Sequence, residues 1–566
     1  MTWGKRRAII ILVLILVLIG IFWGIGSIGR APRISYNSVL VIDASGAIEE
    51  QRAPDLASAF TGERTPVLHD YLDGLDDAGN DPRITGVVVR IGPLATGWAK
   101  LEEIRNHLLA FRKSGKPNIC YLGYDGIGNL EYYLASACSQ VWLLPTAPVS
   151  IHGMMAEAVF VRGTLDKLKI VPEFYHIAEY KTASNMFMEK KFTPAHKEEV
   201  ETLMRSVYAQ YLTDASQARN VPRAKFEELV NRGPLTSSEA LAGKLVDRLA
   251  YWDQVQDSFR SHKDGWNPVS LSRYRANQSE GFGGERIAVV QASGLIVSGM
   301  SQETPTGGAV MGGDSVAADL RRTRNDASIK AVVLRIDSGG GSAVASEVIR
   351  REVQLLKDEK PVVVSMSDVA ASGGYWIAMD ANKIVADPNT ITASIGVLTG
   401  KFNISGLLGM LGISTDSVAT SDNASIFSTQ QNFTPAQRDN IQRSLDETYA
   451  NFTKGVAAGR HMKVDAVDKI GKGRVWSGAQ AKDLGLVDEL GGLDRAIDVA
   501  KQLAHIPASA KVHLVRLPEE KSFFQQLFER QREPLSEARS VEAILRQVVG
   551  TMDGIQARVP FDLIIR

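Results

Sequence analysis

Cysteine is nearly missing from this chain. Cys120 and Cys138 are the two present among 566 residues, too few for a disulfide framework or a cysteine-rich metal site. Pairing stays open in an oxidising compartment, but the expectation is two buried, small, apolar side chains. An excess charge of one sign is also missing. The 64 basic and 64 acidic residues cancel, so no global field recruits nucleic acid or an acidic partner. No His, Cys and carboxylate cluster has metal-ligand spacing, and no metal is expected. The glycine-rich stretches "GGGS" and "GFGG" lack the Walker lysine and the spacing of a dinucleotide fingerprint. No cofactor is expected.

What is present begins at the N-terminus. Lys5, Arg6 and Arg7 precede "AIIILVLILVLIGIFWGIG", 19 uncharged residues from Ala8 to Gly26. As a helix this run would be about 28 Å long, close to the thickness of a bilayer's hydrocarbon core. The basic cluster keeps the N-terminus cytoplasmic and sends residue 30 onward across the membrane. "GSIGRAPR" offers no good cleavage site, so an uncleaved signal anchor is expected rather than a signal peptide. The chain is also too long for one ordinary core.

The sequence contains itself twice. "NSVLVIDASGAIEE" from Asn37 resembles "ERIAVVQASGLIVSG" from Glu285, and "DPRITGVVVRIG" from Asp81 resembles "DASIKAVVLRID" from Asp326. "KFTPAHKEEVETLMRSVYAQYL" from Lys191 matches "NFTPAQRDNIQRSLDETYANFT" from Asn432. "GPLTSSEALAGKLVDRL" from Gly233 matches "GRVWSGAQAKDLGLVDEL" from Gly473. Four matches in one order indicate a duplicated unit of domain size. Within each unit, apolar runs such as Val87–Ile91 and Val332–Ile336 alternate with helical patterns such as Leu101–Arg112 and Ala345–Leu356. That alternation predicts an α/β fold with a mostly parallel sheet. The expected organisation is 1–30 stub and anchor, 31–250 first repeat, 251–284 bridge, 285–504 second repeat, and 505–566 extension. The extension carries one or two amphipathic helices interrupted near Pro534.

The repeats are informative where they disagree. "SDVAASGGYWIA" strips the side chains from around Ser372, which suits either close helix packing or a serine that must reach a substrate backbone. Gly153 aligns with Gly396 at a separation of 243 residues, which places Asn129 opposite Ser372, Tyr132 opposite Tyr375 and Pro145 opposite Pro388. Fold-forming positions persist while Ser-Gly-Gly does not, so packing alone does not explain the serine. A serine needs a base, and neither His461 nor His505 sits in a triad-like arrangement. Aligned on "FTPA", Lys181 in "HIAEYKTASNMF" faces Asp422. One half keeps the serine and the other keeps a lysine, and burial can lower the pKa of a lysine enough to make it a base.

"AEYKTA", "DSGGGSAVASEVI", "SDVAASGGYWIA" and "TASIGV" together resemble the long, duplicated form of the bacterial signal peptide peptidase family (SppA, protease IV). The resemblance covers the anchor and nearly all of residues 35 to 500. It implies a tandem duplication of Clp-protease/crotonase-like α/β units in a Ser/Lys-dyad serine protease of the bacterial inner membrane. The catalytic body would be extracytoplasmic, the assembly a homo-oligomer (a tetramer in the long form), and the substrates spent signal peptides. Residue by residue, it implies Ser372 as nucleophile, Lys181 as general base, Ser394 as orienter of the lysine and Gly373 N–H as one oxyanion donor. The second donor falls to Gly340 or Gly341. Here the chain departs from the family's usual N-S-P-G-G-S: Asp337 replaces the asparagine and Gly339 the proline, removing a φ restraint from the loop.

Two rivals follow from the same residues. Crotonase-like units also handle acyl-CoA thioesters, and a duplicated membrane protein can be a non-catalytic scaffold. The anchor and the Ser372/Lys181 complement oppose the first, and the intact Ser372/Lys181 pair opposes the second.

Overall fold

A computed structural model describes residues 34–52, 64–260, 265–278, 283–303, 309–519, 556–558 and 564–565. The expected anchor at 8–26 lies outside these residues. Among the described residues no helix is long and apolar enough to cross a membrane.

Consecutive apolar residues give strands buried on both faces, as a parallel sheet covered by helices requires. In the first half these are β1 (Ser38–Gly46), β2 (Ile84–Leu94), β3 (Asn118–Leu122), β4 (Gln140–Leu143), β5 (Arg248–Leu249) and β6 (Pro268–Ser270). They form one parallel sheet in the order β5-β4-β3-β2-β1-β6. The second half repeats it with β7 (Glu285–Ser293), β8 (Ile329–Ser338), β9 (Val362–Ala371), β10 (Lys383–Ala386), β11 (Glu489–Leu490) and β12 (Val512–Leu517). These are again parallel, in the order β11-β10-β9-β8-β7-β12.

The helices repeat as well. In the first half they are α1 (Leu68–Asn80), α2 (Trp98–Phe111), α3 (Asn129–Ala135) and α4 (Pro194–Ala218). Their counterparts are α5 (Gly313–Asn325), α6 (Ala343–Lys357), α7 (Gly373–Ala378) and α8 (Pro435–Gly459). The two "FTPA" motifs do the same local work. Thr193 and Thr434 each cap a 25-residue helix, accepting the N–H of His196 and Gln437, with proline in the first turn. Lys116 and Lys360 also hold corresponding carbonyls, of Ala78 and Asp81 in one half and Thr323 and Asp326 in the other.

Two stretches differ from the sequence reading. Residues 251–260 and 265–276 pack on the first half instead of bridging: Val255, Trp252, Phe259 and Trp266 cover the outer face of its sheet, and Pro268–Ser270 adds a strand beside β1. Polar spacing hid this, because one strand and two short helices carry the few apolar contacts. The extension likewise opens with β12, which joins the second sheet. Its expected helices, from Glu520 on, fall outside the described residues, and 556–558 and 564–565 are strands. Cys120 and Cys138 are fully buried, as expected, but are joined in a disulfide. Cys120 on β3 and Cys138 just after α3 come within 5.7 Å between Cα atoms, close enough for the bond.

The halves join edge to edge. Strand Val171–His176 of the first runs antiparallel to Leu398–Asn403 of the second, with His176 opposite Leu398 and Val171 opposite Asn403. This pairing carries the segment after His176, and Lys181 with it, into the second half.

Candidate active site

Strand β9 runs "VVVSMSDVAA" straight into Ser372, and α7 begins at the next residue. Ser372 is held at φ +56°, a left-handed conformation that costs a non-glycine residue energy. Its N–H donates to the Ala393 carbonyl at 2.7 Å, and its own carbonyl receives the N–H of Trp376. Ala393 and Ser394 also have positive φ, so three strained residues meet at this point. The missing side chains are now explained by close approach: a Cβ on Gly374 would lie 2.5 Å from the Ser338 carbonyl oxygen.

Lys181 reaches this turn from the first half. Its Nζ donates to Ser372 Oγ at 2.7 Å, to Ser394 Oγ at 3.1 Å and to the Ser394 carbonyl at 3.3 Å. Ser394 Oγ donates onward to the Gly473 carbonyl at 3.1 Å. All three side chains are buried, with Lys181 1% exposed and both serines 0%. The lysine stem passes between second-half glycines: Gly396 would meet Lys181 Cδ, and a Cβ on Gly473 would sit 2.5 Å from the Lys181 backbone nitrogen. Burial pulls the Lys181 ammonium down to about 7, against the opposing pull of the Glu199 carboxylate. A large fraction of Lys181 is therefore a free amine near neutral pH, beside a hydroxyl.

Among the glycines, the Gly340 N–H is already committed to Ser338 Oγ at 3.1 Å. The Gly341 nitrogen lies beside Gly373, 3.1 Å from the position of a Cβ there. Gly373, next to Ser372 in sequence, thus comes together with Gly340 and Gly341. Asp422 and Asn129 do not meet. Asp422 is exposed on a surface segment, and Asn129 Nδ2 is turned to the Gly153 carbonyl at 2.7 Å. Residues 556–558 run antiparallel along Gly340–Ser342, with Ala557 opposite Gly341, and Gln556 lies opposite Leu398. An extended stretch of polypeptide therefore lies along the glycine loop.

Sequence reasoning missed Glu199. It is 2% exposed on α4, accepts Thr182 Oγ1 at 3.2 Å and the Val475 N–H at 2.7 Å, and so ties the residue after Lys181 to the second half. Burial pushes its carboxyl up to about 8. It sits in "AHKEEV", a run that reads as solvated helix surface, and no local pattern marks it.

The description "Peptidase family S49" matches residues 110–265 and 354–507, one stretch in each half, the first holding Lys181 and the second Ser372 and Ser394. The chain belongs to peptidase family S49. Protease 4 of Salmonella typhi is 33% identical over 520 residues, which are 87% of this chain and 82% of that protein. The chloroplastic serine protease SPPA of Arabidopsis thaliana is 34% identical over 496 residues, 86% of this chain and 72% of that protein. This S49 chain is therefore a serine protease of the SppA type. Among solved structures, a point mutant of ClpP1 from Listeria monocytogenes covers 37% of this chain and 94% of its own, at 16% identity and a TM-score of 0.25, too slight a likeness to bear on the fold.

Proposed function

We propose that this peptidase cleaves peptides through an acyl-enzyme formed on Ser372, with Lys181 as general base and acid. One observation carries the reading: a buried lysine, depressed by its surroundings, donates to a buried serine hydroxyl at 2.7 Å across the junction of two halves that each lack the other's residue. As a free amine, Lys181 takes the Ser372 proton while Oγ attacks the peptide carbonyl. The oxyanion is received by the N–H of Gly373 and of Gly341, the latter favoured over Gly340 because the Gly340 N–H is engaged with Ser338. Ser394 holds the amine toward Oγ, the orienting task that a carboxylate performs in a histidine triad. Lys181 then passes its proton to the leaving amine, and a water repeats the sequence to release the acyl group.

The substrate is an extended, apolar peptide, and spent signal peptides are the class proposed. The strand 556–558 along Gly340–Ser342 supports an extended binding mode, since backbone groups there accept a neighbouring chain. The name of an Enterococcus faecium relative, putative signal peptide peptidase SppA, supports the class; that protein is 34% identical over 186 residues, 32% of this chain and 54% of its own length. The run 8–26 supports a bacterial inner-membrane anchor with the body outside the cytoplasm, and the repeat supports the Clp/crotonase-like unit and the division into two repeats, 31–250 and 285–504.

Assembly as a homo-oligomer follows the same logic. Val171–His176 pairs with Leu398–Asn403 inside the chain, but its repeat counterpart near 412–417 is exposed, with Ile413 49% and Val418 fully accessible. A second copy offering the edge around Met155 and Val159, also exposed, would close that junction, and a tetramer is the size proposed.

The test is hydrolysis of an apolar, signal-sequence-derived peptide by the detergent-purified full chain. Ser372→Ala and Lys181→Ala should each abolish it while folding and assembly persist. Retained activity in Lys181→Ala would assign the base elsewhere.

A further inference from the structure

The first half sends a second lysine into the second half, and the catalytic steps do not use it. Lys100, in the first turn of α2, is buried, with 6% of its side chain exposed. Its Nζ lies 2.7 Å from Asp337 Oδ2 and 3.6 Å from Asp368 Oδ2. Both carboxylates flank the active-site turn. Asp337 is the last residue but one of β8, just before the glycine loop, and Asp368 precedes Ser372 by four residues on β9.

The strands themselves explain the need for these groups. β8 and β9 pair in steady register as far as Ile336 opposite Met366, then slip, so that Ser338 faces Ala370. Three residues of β9, Ser367 to Val369, thus stand against Asp337 alone, and such a bulge leaves residues without ladder partners and redirects the strand. The Val369 N–H falls in this gap, and Asp337 Oδ1 accepts it at 3.2 Å. Asp337 therefore fastens the strand of the oxyanion loop to the strand of the nucleophile at the one place where the ladder fails. Asp368, for its part, accepts the backbone N–H of Gly97 and of Lys100, each at 3.0 Å, so a second-half carboxylate seats the first turn of a first-half helix.

A partly buried carboxylate holds this position best if its charge is met. Burial alone would lower the Lys100 pKa, but Asp337, Asp368 and Glu50 overrule it and hold the ammonium charged. The corresponding crossover is absent from the other half: by the repeat, Gly92 stands for Asp337 and Ala345 for Lys100. In that half the β2–β3 ladder stops at Ile91 opposite Leu122, the counterpart of Ile336 opposite Met366, and Asn129 stands in place of Ser372.

We infer that Lys100 is a positioning residue for the active site of the other half: by neutralising Asp337 and Asp368 it keeps the bulge locked, and so sets the oxyanion loop against Ser372. The proposal rests on Ser372 being the nucleophile.

The experiment uses full-length enzyme in detergent, titrated for active sites, with the apolar peptide as substrate and a peptide aldehyde as oxyanion mimic. Lys100→Met should lower kcat about 10- to 100-fold, as expected for displacement of reacting groups by less than a bond length. KM should stay within about threefold, and aldehyde affinity should fall with kcat, because the loss falls on the transition state. Adding Asp337→Asn to Lys100→Met should restore at least about fivefold of kcat, since the amide oxygen still accepts the Val369 N–H and one of the two unmet charges is gone. A purely structural lysine would change the fraction of titratable enzyme and its melting, not kcat per site. Unchanged kcat in Lys100→Met, or no recovery in the double variant, overturns the proposal. If Lys100→Met does not fold, Asp337→Ala with Lys100 kept beside Asp368 decides: kcat must fall, and unchanged kcat overturns it. Activity surviving in Ser372→Ala removes the nucleophile assignment and this proposal with it, whereas Ser372-dependent activity indifferent to Lys100 removes this one alone.

Discussion

At the same point of the same fold, one half of this molecule holds Asn129 and the other Ser372. Around them little else changes. Tyr132 donates to the Leu245 carbonyl at 3.0 Å and Tyr375 to the Leu486 carbonyl at 2.8 Å, equivalent bonds in equivalent places. Even the replaced side chain keeps the same neighbour. Asn129 Nδ2 donates to Gly153 O, and Ser372 Oγ lies 3.4 Å from the carbonyl of Gly396, the counterpart of Gly153. The amide fills the place of Ser372 and is tied down there. Fold and chemistry are thus separable in this duplication: the hydrogen bonds that shape the turn persist in both copies, and the reactive group survives in one.

The sharpest way to break the comparison is to make the second half copy the first. Ser372→Asn should lower kcat/KM by at least about a thousandfold, because the covalent step has no nucleophile, while the melting transition remains cooperative. The reverse change, Asn129→Ser, should add no second active site, since the exposed Asp422 stands where a lysine would be needed. A gain of serine-reactive sites beyond one per chain, counted by a covalent serine acylator, would refute the asymmetry.

Stability variants probe the shared scaffold. The Cys120–Cys138 disulfide closes an 18-residue separation in the first half alone, where the second half has Val364 and Ala381 by the repeat. Replacing both cysteines by serine should cost about 2–4 kcal/mol, measured by denaturant unfolding, and the loss should fall on the first half's transition. The tyrosines should cost less and cost alike. Tyr132→Phe and Tyr375→Phe each leave a buried carbonyl unpaired, for about 1–2 kcal/mol apiece. A large inequality between them would show that the halves do not share these bonds energetically.

Much of this was legible in the sequence, for a physical reason: a duplication lets one copy serve as the control for the other. The apolar runs around Val87–Ile91 and Val332–Ile336 became β2 and β8, and the opposed losses at Asn129 and Asp422 picked out Ser372 and Lys181, which the structure brings to 2.7 Å. What stayed hidden depends on long-range contact. Lys100 and Glu199 look like charges on solvated helix faces, and their burial against the other half follows from packing that no local pattern encodes. The disulfide was invisible for a similar cause, since spacing does not tell whether a strand residue and a post-helix residue will face each other. Residues 251–260 and 265–276 were misread because their few apolar side chains matter only where the first sheet has an open face to cover.

The smallest predicted effect tests how the two halves share a charge. Lys181 must be a free amine to act, so kcat/KM should rise with pH through a midpoint near 7, the value to which burial lowers it. Glu199, on the same half but bonded to Val475 of the other, opposes that lowering. Both of its oxygens accept hydrogen bonds, an arrangement that favours the ionised form even as burial pushes its pKa up to about 8. Glu199 is ionised in part near neutral pH, so removing its charge should make the lysine somewhat easier to deprotonate. Glu199→Gln is expected to shift the acidic limb of kcat/KM to lower pH by about one unit or less, while the amide oxygen keeps one of the two bonds. A limb that does not move would mean that Glu199 is neutral in the working enzyme, and that the depressed lysine owes its state to burial alone. A shift toward higher pH would reverse the sign of the interaction, and with it the view that the first half both supplies the base and restrains it.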